Sequence, residues 1–75
     1  MRYYFDIRDD FYAVSDADGG DFATVDEARR EAIAIAVSIA RDIFNASGSQ
    51  LTVTVRDEVK PLLELTLTLS HNDVA

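Results

Sequence analysis

Cysteine is absent from the sequence, so neither a disulfide nor a thiolate metal site can brace the fold. Proline occurs once and glycine three times, which leaves few positions where the backbone is forced to break. Bases are scarce: seven Lys and Arg stand against fourteen Asp and Glu, for a net charge of −7. Such an acidic surface repels phosphate backbones and anionic lipid headgroups, so neither nucleic acid nor membrane is an expected partner. Long apolar runs are missing as well; the longest, Ala32 to Ala40, is interrupted by Ser38 and is too short to span a bilayer. The N-terminus enters a strand pattern at once, without the basic start and apolar core of a signal segment, and a cytoplasmic location is expected.

What is present is a globular composition, 48% hydrophobic and 28% charged, too apolar for a disordered chain. Its 75 residues are read as one domain, 1–75. A chain this short buries only about 60% of the surface its unfolded form exposes, and small folds often rely on a disulfide, a metal or a second subunit. With the first excluded and the second poorly supported, self-association is the remaining device.

Residues 2–8 alternate, with Tyr3, Phe5 and Ile7 on one face and Arg2, Tyr4, Asp6 and Arg8 on the other, the pattern of a half-buried strand. Asp9-Asp10 makes a turn, and a second strand is expected over Phe11 to Ser15 with Tyr12 and Val14 pointing inward. Asp16-Ala-Asp-Gly-Gly-Asp21 breaks the periodicity and reads as a loop. Thr24 followed three residues later by Glu27 predicts a capping box: the hydroxyl accepts from the amide of Glu27, and the carboxylate reaches back to the amide of Thr24. The helix runs to about Asn45 or Ala46 and stops at Ser47-Gly48, with glycine supplying the cap. Leu51, Val53 and Val55 alternate with threonine and arginine in a third strand; Leu63, Leu65, Leu67 and Leu69 do so in a fourth, over 63–70. Asp57 to Pro61 forms the loop between them, and residues 71–75 are read as a frayed tail. The expected fold is α+β: a two-layer ββαββ arrangement with a four-stranded antiparallel sheet in the order 2-1-3-4 and one long helix on one face.

The helix carries more apolar surface than such a layer requires. Val25, Ala28, Ala32, Ile35, Ala36, Ile39 and Ile43 form one stripe; Ile33, Val37, Ala40 and Phe44 form a second beside it. Together they span roughly 200° of the cylinder, twice the stripe usual for a helix packed on one side. Arg29 lies between them, where its stem can pack while its charge reaches an acid. Unless a curling sheet or an overlying loop covers the second stripe within one subunit, Ile33, Val37, Ala40 and Phe44 are the candidate interface with another chain, most simply a twofold homodimer. Edge pairing through the Leu/Thr fourth strand is a second route.

Few residues suggest chemistry. Asp16 and Asp18 match the first two ligand positions of a calcium loop and Glu27 the twelfth, but Gly20 replaces the third ligand and Asp21 stands where glycine is required. No metal is therefore assigned, with Asp16, Asp18 and Asp21 the nearest candidates, and no cofactor is implied. His71, the sole histidine, sits in the tail; no serine has a nucleophile-elbow context and no glycine-rich phosphate loop precedes the helix. An enzyme is not expected. Arg2, Tyr4, Arg8 and Arg56 on the outward face resemble a base-stacking surface, but Asp6 and Glu64 share that face, and cross-strand ion pairing is the better account.

The run Tyr3-Tyr-Phe-Asp-Ile-Arg-Asp9, the Asp16-x-x-Gly19 turn, Ala28 and Ala32, and Val55-Arg-Asp-Glu58 together resemble a bacterial family of very small uncharacterised proteins. That family, common in rhizobia and their relatives, is known only as a domain of unknown function. The likeness covers residues 3 to about 67, supports the element order and implies no activity. Where its members carry a glycine after the third strand, this chain has Val59-Lys60-Pro61. A looser, fold-level likeness is to the antitoxin half of hic-type toxin–antitoxin pairs, whose Pro-Gly-Cys-like strand end and DNA-binding segment are missing here. The function expected is a non-catalytic protein-interaction module. The alternatives are a metal- or small-molecule-binding domain using residues 16–21 and an antitoxin-like inhibitor of a basic protein.

Overall fold

The computed structural model describes residues 1–44 and 50–74. In chain order the elements are β1 (Arg2–Asp9), β2 (Ala13–Val14), β3 (Gly20–Asp21), α1 (Val25–Ile43), β4 (Gln50–Arg56) and β5 (Pro61–Thr68). The protein is α+β, with one helix packed on an antiparallel sheet. The four-strand layout needs correction, because the sheet has five strands: a path β2-β1-β4-β5, with β3 also pairing β1.

The extra strand lies in the segment read as a loop. Gly20 pairs with Tyr3 and Asp21 with Arg2, while β2 pairs Val14 with Ile7 and Ala13 with Arg8. The ladder continues through Met1 and Phe22, whose backbones exchange two hydrogen bonds. β2 and β3 are thus two halves of one interrupted edge strand, with residues 15–19 bulging opposite residues 4–6. Gly19 makes the return possible: its φ is +69°, and a Cβ there would stand 2.7 Å from the carbonyl oxygen of Tyr3.

The second strand is shorter than 11–15 because the Asp9 carboxylate accepts from the amides of Phe11 (2.8 Å) and Tyr12 (2.6 Å) and holds both in the turn. Tyr12 and Val14 are 75% and 61% exposed, not inward-packed. Val14 does share a face with its partner Ile7, but α1 lies over β4 and β5 and does not reach that edge.

Thr24 caps α1 from an extended conformation, its hydroxyl accepting from the amide of Glu27 at 3.1 Å. The Glu27 carboxylate reaches one residue farther than a capping box requires and accepts from Ala23 at 3.1 Å. The last helical residue is Ile43, with the amide of Phe44 donating to Ala40 at 2.8 Å; Asn45, Ala46 and the expected Ser47-Gly48 cap lie outside the described residues. Ala28, Ala32, Ala36 and Ala40, spaced by four, form the buried row. Against them stand Tyr3, Phe5, Leu51, Val53 and Val55, with Phe22 closing one end through rings centred 5.7 Å from Phe5 and 6.3 Å from Tyr3. Single-carbon side chains let the helix settle close to the sheet, so the larger residues of the core come mostly from the strands.

β4 pairs with β1 on one side and β5 on the other, through a bulge beside Val55 and Arg56. Pro61 is the first residue of β5 and not part of the loop, a position where its missing N–H is tolerated. The strand ends at Thr68, so Leu69 lies beyond it. Leu63, Leu65 and Leu67 face the helix and are half-buried. Among the described residues no helix is long and apolar enough to cross a membrane.

Two substitutions test this packing. Thr24→Ala removes the cap and should cost about 1 kcal/mol in a urea melt; an unchanged midpoint would remove the cap's role. Ala32→Leu should cost about 1–3 kcal/mol by pushing the helix off Val53 and its neighbours, and a neutral result would mean that the contact is looser than the alanine row indicates.

Candidate functional site

The densest polar arrangement lies where the edge strand is interrupted. There the backbone of β1 loses its strand partner, and Asp16 replaces it. One carboxylate oxygen accepts from the amide of Phe5 at 3.1 Å; the other accepts from the amides of Asp18 and Gly19, both at 3.1 Å. The amide of Asp16 donates to the carboxylate of Asp6 at 3.0 Å. From β4, the Nε of Arg56 donates to the same Asp6 carboxylate at 2.7 Å, and its terminal nitrogen donates to the Asp16 carbonyl at 2.9 Å. The guanidinium also lies 4.5 Å from the centre of the Tyr4 ring. Three segments far apart in sequence are thereby joined by one network of charged hydrogen bonds.

Asp16 titrates below the ordinary aspartate range. Partial burial opposes its charge, but the amides of Gly19, Phe5 and Asp18 and the charge of Arg56 outweigh that penalty. Asp57 is lowered too, by the amides of Lys60 and Val59, which donate to one of its oxygens at 2.8 and 2.7 Å. Asp57 closes the β4–β5 turn with its own amide donating to the carbonyl of Lys60 at 3.0 Å. That is how the turn forms with Val59, Lys60 and Pro61 and no glycine. Asp9 builds the β1–β2 turn in the same way, its amide donating to Tyr12 at 2.9 Å. The shared signal was visible but unused: Ile7-Arg-Asp-Asp10 and Val55-Arg-Asp-Glu58 repeat a β-branched residue, arginine, aspartate and a second acid.

The metal candidates do not converge. Both oxygens of Asp16 are occupied by backbone amides, and the carboxylate of Asp21 pairs with Arg2 at 3.1 Å. Asp18 contributes its carbonyl to Arg2 at 2.6 Å. Among the described residues no group of three or more metal-ligating side chains is found. The outward sheet face carries ion pairs: Arg56 with Asp6, and Arg8 with Glu64 at 3.5 Å. Arg29 finds its acid in Asp26, one turn earlier on the helix.

The four interface candidates separate. Ala40 belongs to the buried row and Phe44 is half-buried against the core. Ile33 and Val37 remain 49% and 48% exposed. They stand on consecutive turns of α1, on one flank of the alanine row; Ile35 and Ile39, on the other flank, are half-buried against the core.

Against known proteins, the sequence pattern of one family matches residues 2–68; it is described as a domain of unknown function, DUF6894. The match runs from the start of β1 to the end of β5. No curated protein and no solved structure matches the chain.

The depressed pKa of Asp16 fixes the sign of a pH effect. A carboxyl whose folded pKa lies below its unfolded value adds stability above the unfolded pKa, and that stability is lost as pH falls through the folded one. Asp16→Asn, which sets an amide against the Phe5 N–H, should cost about 2 kcal/mol at pH 7. The gap to wild type should narrow as the medium is acidified below the aspartate range. Urea melts at several pH values measure this; a gap independent of pH would refute the charged role of Asp16.

Proposed function

We propose that this chain, which belongs to the DUF6894 family, is a non-catalytic protein-interaction module that works as a homodimer and docks on other protein. One observation carries the reading: Ile33 and Val37 present branched apolar side chains, half exposed and adjacent, on a helix whose alanine row is already engaged with the sheet. Contiguous apolar surface of that kind costs free energy when left in water and is characteristic of interfaces. Phe44, half-buried at the end of the same flank, extends the stripe, while Ala40 supports it from beneath.

The groups with shifted titration point the same way. Asp16 and Asp57 are engaged by backbone amides as turn caps, which is structural work. The metal-binding alternative at residues 16–21 draws no support from carboxylates already occupied by amides and Arg2. The same reading includes a bacterial, cytoplasmic setting, as the resemblance and composition of the sequence suggest.

Sedimentation of the full chain at high micromolar concentration tests the proposal: a dimer mass is expected, with Val37→Asp shifting it toward the monomer. A wild-type chain that stays monomeric, or a Val37→Asp variant with unchanged mass and melting, would overturn it.

A further inference from the structure

The two edges of the sheet are built differently. On the outer side of β1 the strand is broken into two-residue pieces, bulged between them and flanked by Asp16, Asp18 and Asp21. These features prevent another strand from adding there. β5, the opposite edge, has one bulge residue, Leu62, beside Pro61 at its start and is then regular from Leu63 to Thr68; among the described residues it pairs only with β4. In a chain of net charge −7, its only charged side chain is Glu64, which Arg8 meets at 3.5 Å.

The exposed flank of the helix belongs to this same edge. β3 and β4 both run antiparallel to β1, so they are parallel to each other, and α1 connects them across β1. Such crossovers are right-handed. With that hand, and the right-handed turn of the helix itself, the side of the alanine row carrying Ile33 and Val37 faces the β5 edge, and Ile35 and Ile39 face β1. Burial agrees with this placement. Ile35 and Ile39 are half-buried where the sheet continues beneath them; Ile33 and Val37 are most open where it ends.

We infer that a second copy of this chain docks along that edge, β5 pairing antiparallel with the partner's β5 about a twofold axis, so that one sheet runs through both subunits. This rests on the homodimeric reading above and names its surface. Each helix covers two strands, β4 and β5. The twofold therefore sets the helix axes two strand spacings apart, about 10 Å, at the upper end of the 8–10 Å range for packed helices. Ile33 and Val37 of the two copies then fill the space between the helices. Strand register is constrained as well. Pairing centred on Leu65 places Glu64 opposite the partner's Thr66 and Leu63 opposite the partner's Leu67. Pairing centred on Glu64 would oppose two like charges and is disfavoured.

Because the chain has no cysteine, a spin label can be placed at a single introduced one. Thr66→Cys labels β5 and Ala13→Cys labels β2, both at exposed positions. Pulsed electron resonance on the labelled dimer should give a separation below about 20 Å at β5. At β2, seven strand spacings predict about 34 Å. A dimer with distant β5 labels, or with close β2 labels, overturns edge pairing and leaves the homodimeric reading standing. A monomeric mass for unlabelled wild type overturns both.

Discussion

The fold depends on what Asp16 does for β1. A strand at the edge of a sheet can end or be covered, but β1 lies inside the sheet and loses its neighbour over residues 4–6. The amide of Phe5 would there be left without a partner next to a buried ring, at a cost comparable to losing a hydrogen bond in the core. The Asp16 carboxylate accepts a hydrogen bond from that amide and, through its second oxygen, folds residues 16–19 into the turn that brings Gly20 back to Tyr3. Phe22 follows from that return and reaches the rings of Tyr3 and Phe5. The start of α1 follows in turn, because Thr24 is only two residues farther along. Arg56 joins the network to β4, so the same cluster ties the first hairpin to the second.

A second constraint is the width of the single helix. A helix about 10 Å across covers two strands spaced by about 4.8 Å, and this sheet is four strands wide along its main path. α1 lies over β4 and β5, so β1 is covered by the flank of the helix together with Phe22, and β2 is left uncovered. The exposure of Val14 and Tyr12 is the consequence on one side. On the other side the sheet ends beneath the helix, and the half-exposed Ile33 and Val37 follow from that. The alanine row sharpens the effect: close approach at the centre leaves the branched side chains to the flanks.

Local patterns in the sequence identified the parts whose causes are local. Thr24 and Glu27 marked the helix start, and the alternation through Leu51, Val53 and Val55 marked the most deeply buried strand. β3 was illegible because two residues, one of them glycine, have no periodicity; their pairing is set by Arg2 and Tyr3, 18 or so positions away. Asp16 was ambiguous for a chemical reason. A calcium loop and an aspartate-capped turn both need a carboxylate followed by glycine, and they differ only in whether a cation or a backbone amide arrives at the oxygen. Periodicity grouped Ile33, Val37, Ala40 and Phe44 into one surplus stripe, but the exposure of the first two and the burial of Ala40 were beyond it. The helical wheel gives the angle of a side chain, whereas burial depends on how far the sheet extends under that angle.

The acidity of the chain acquires a structural explanation. Asp9, Asp16 and Asp57 hold turns, Asp26 and Glu27 occupy the first turn of α1, and Asp6, Asp21 and Glu64 form cross-strand ion pairs. These eight, of fourteen acids in all, have intramolecular roles in turns, at the helix start or in ion pairs. A strongly negative chain invites the inference of a basic partner, yet most of the acids that produce the charge are engaged within the subunit. The charge also has a distribution: β5 keeps one acid in eight residues, and that one faces an arginine. The strand edge whose backbone is open among the described residues is thus also one that carries little net charge.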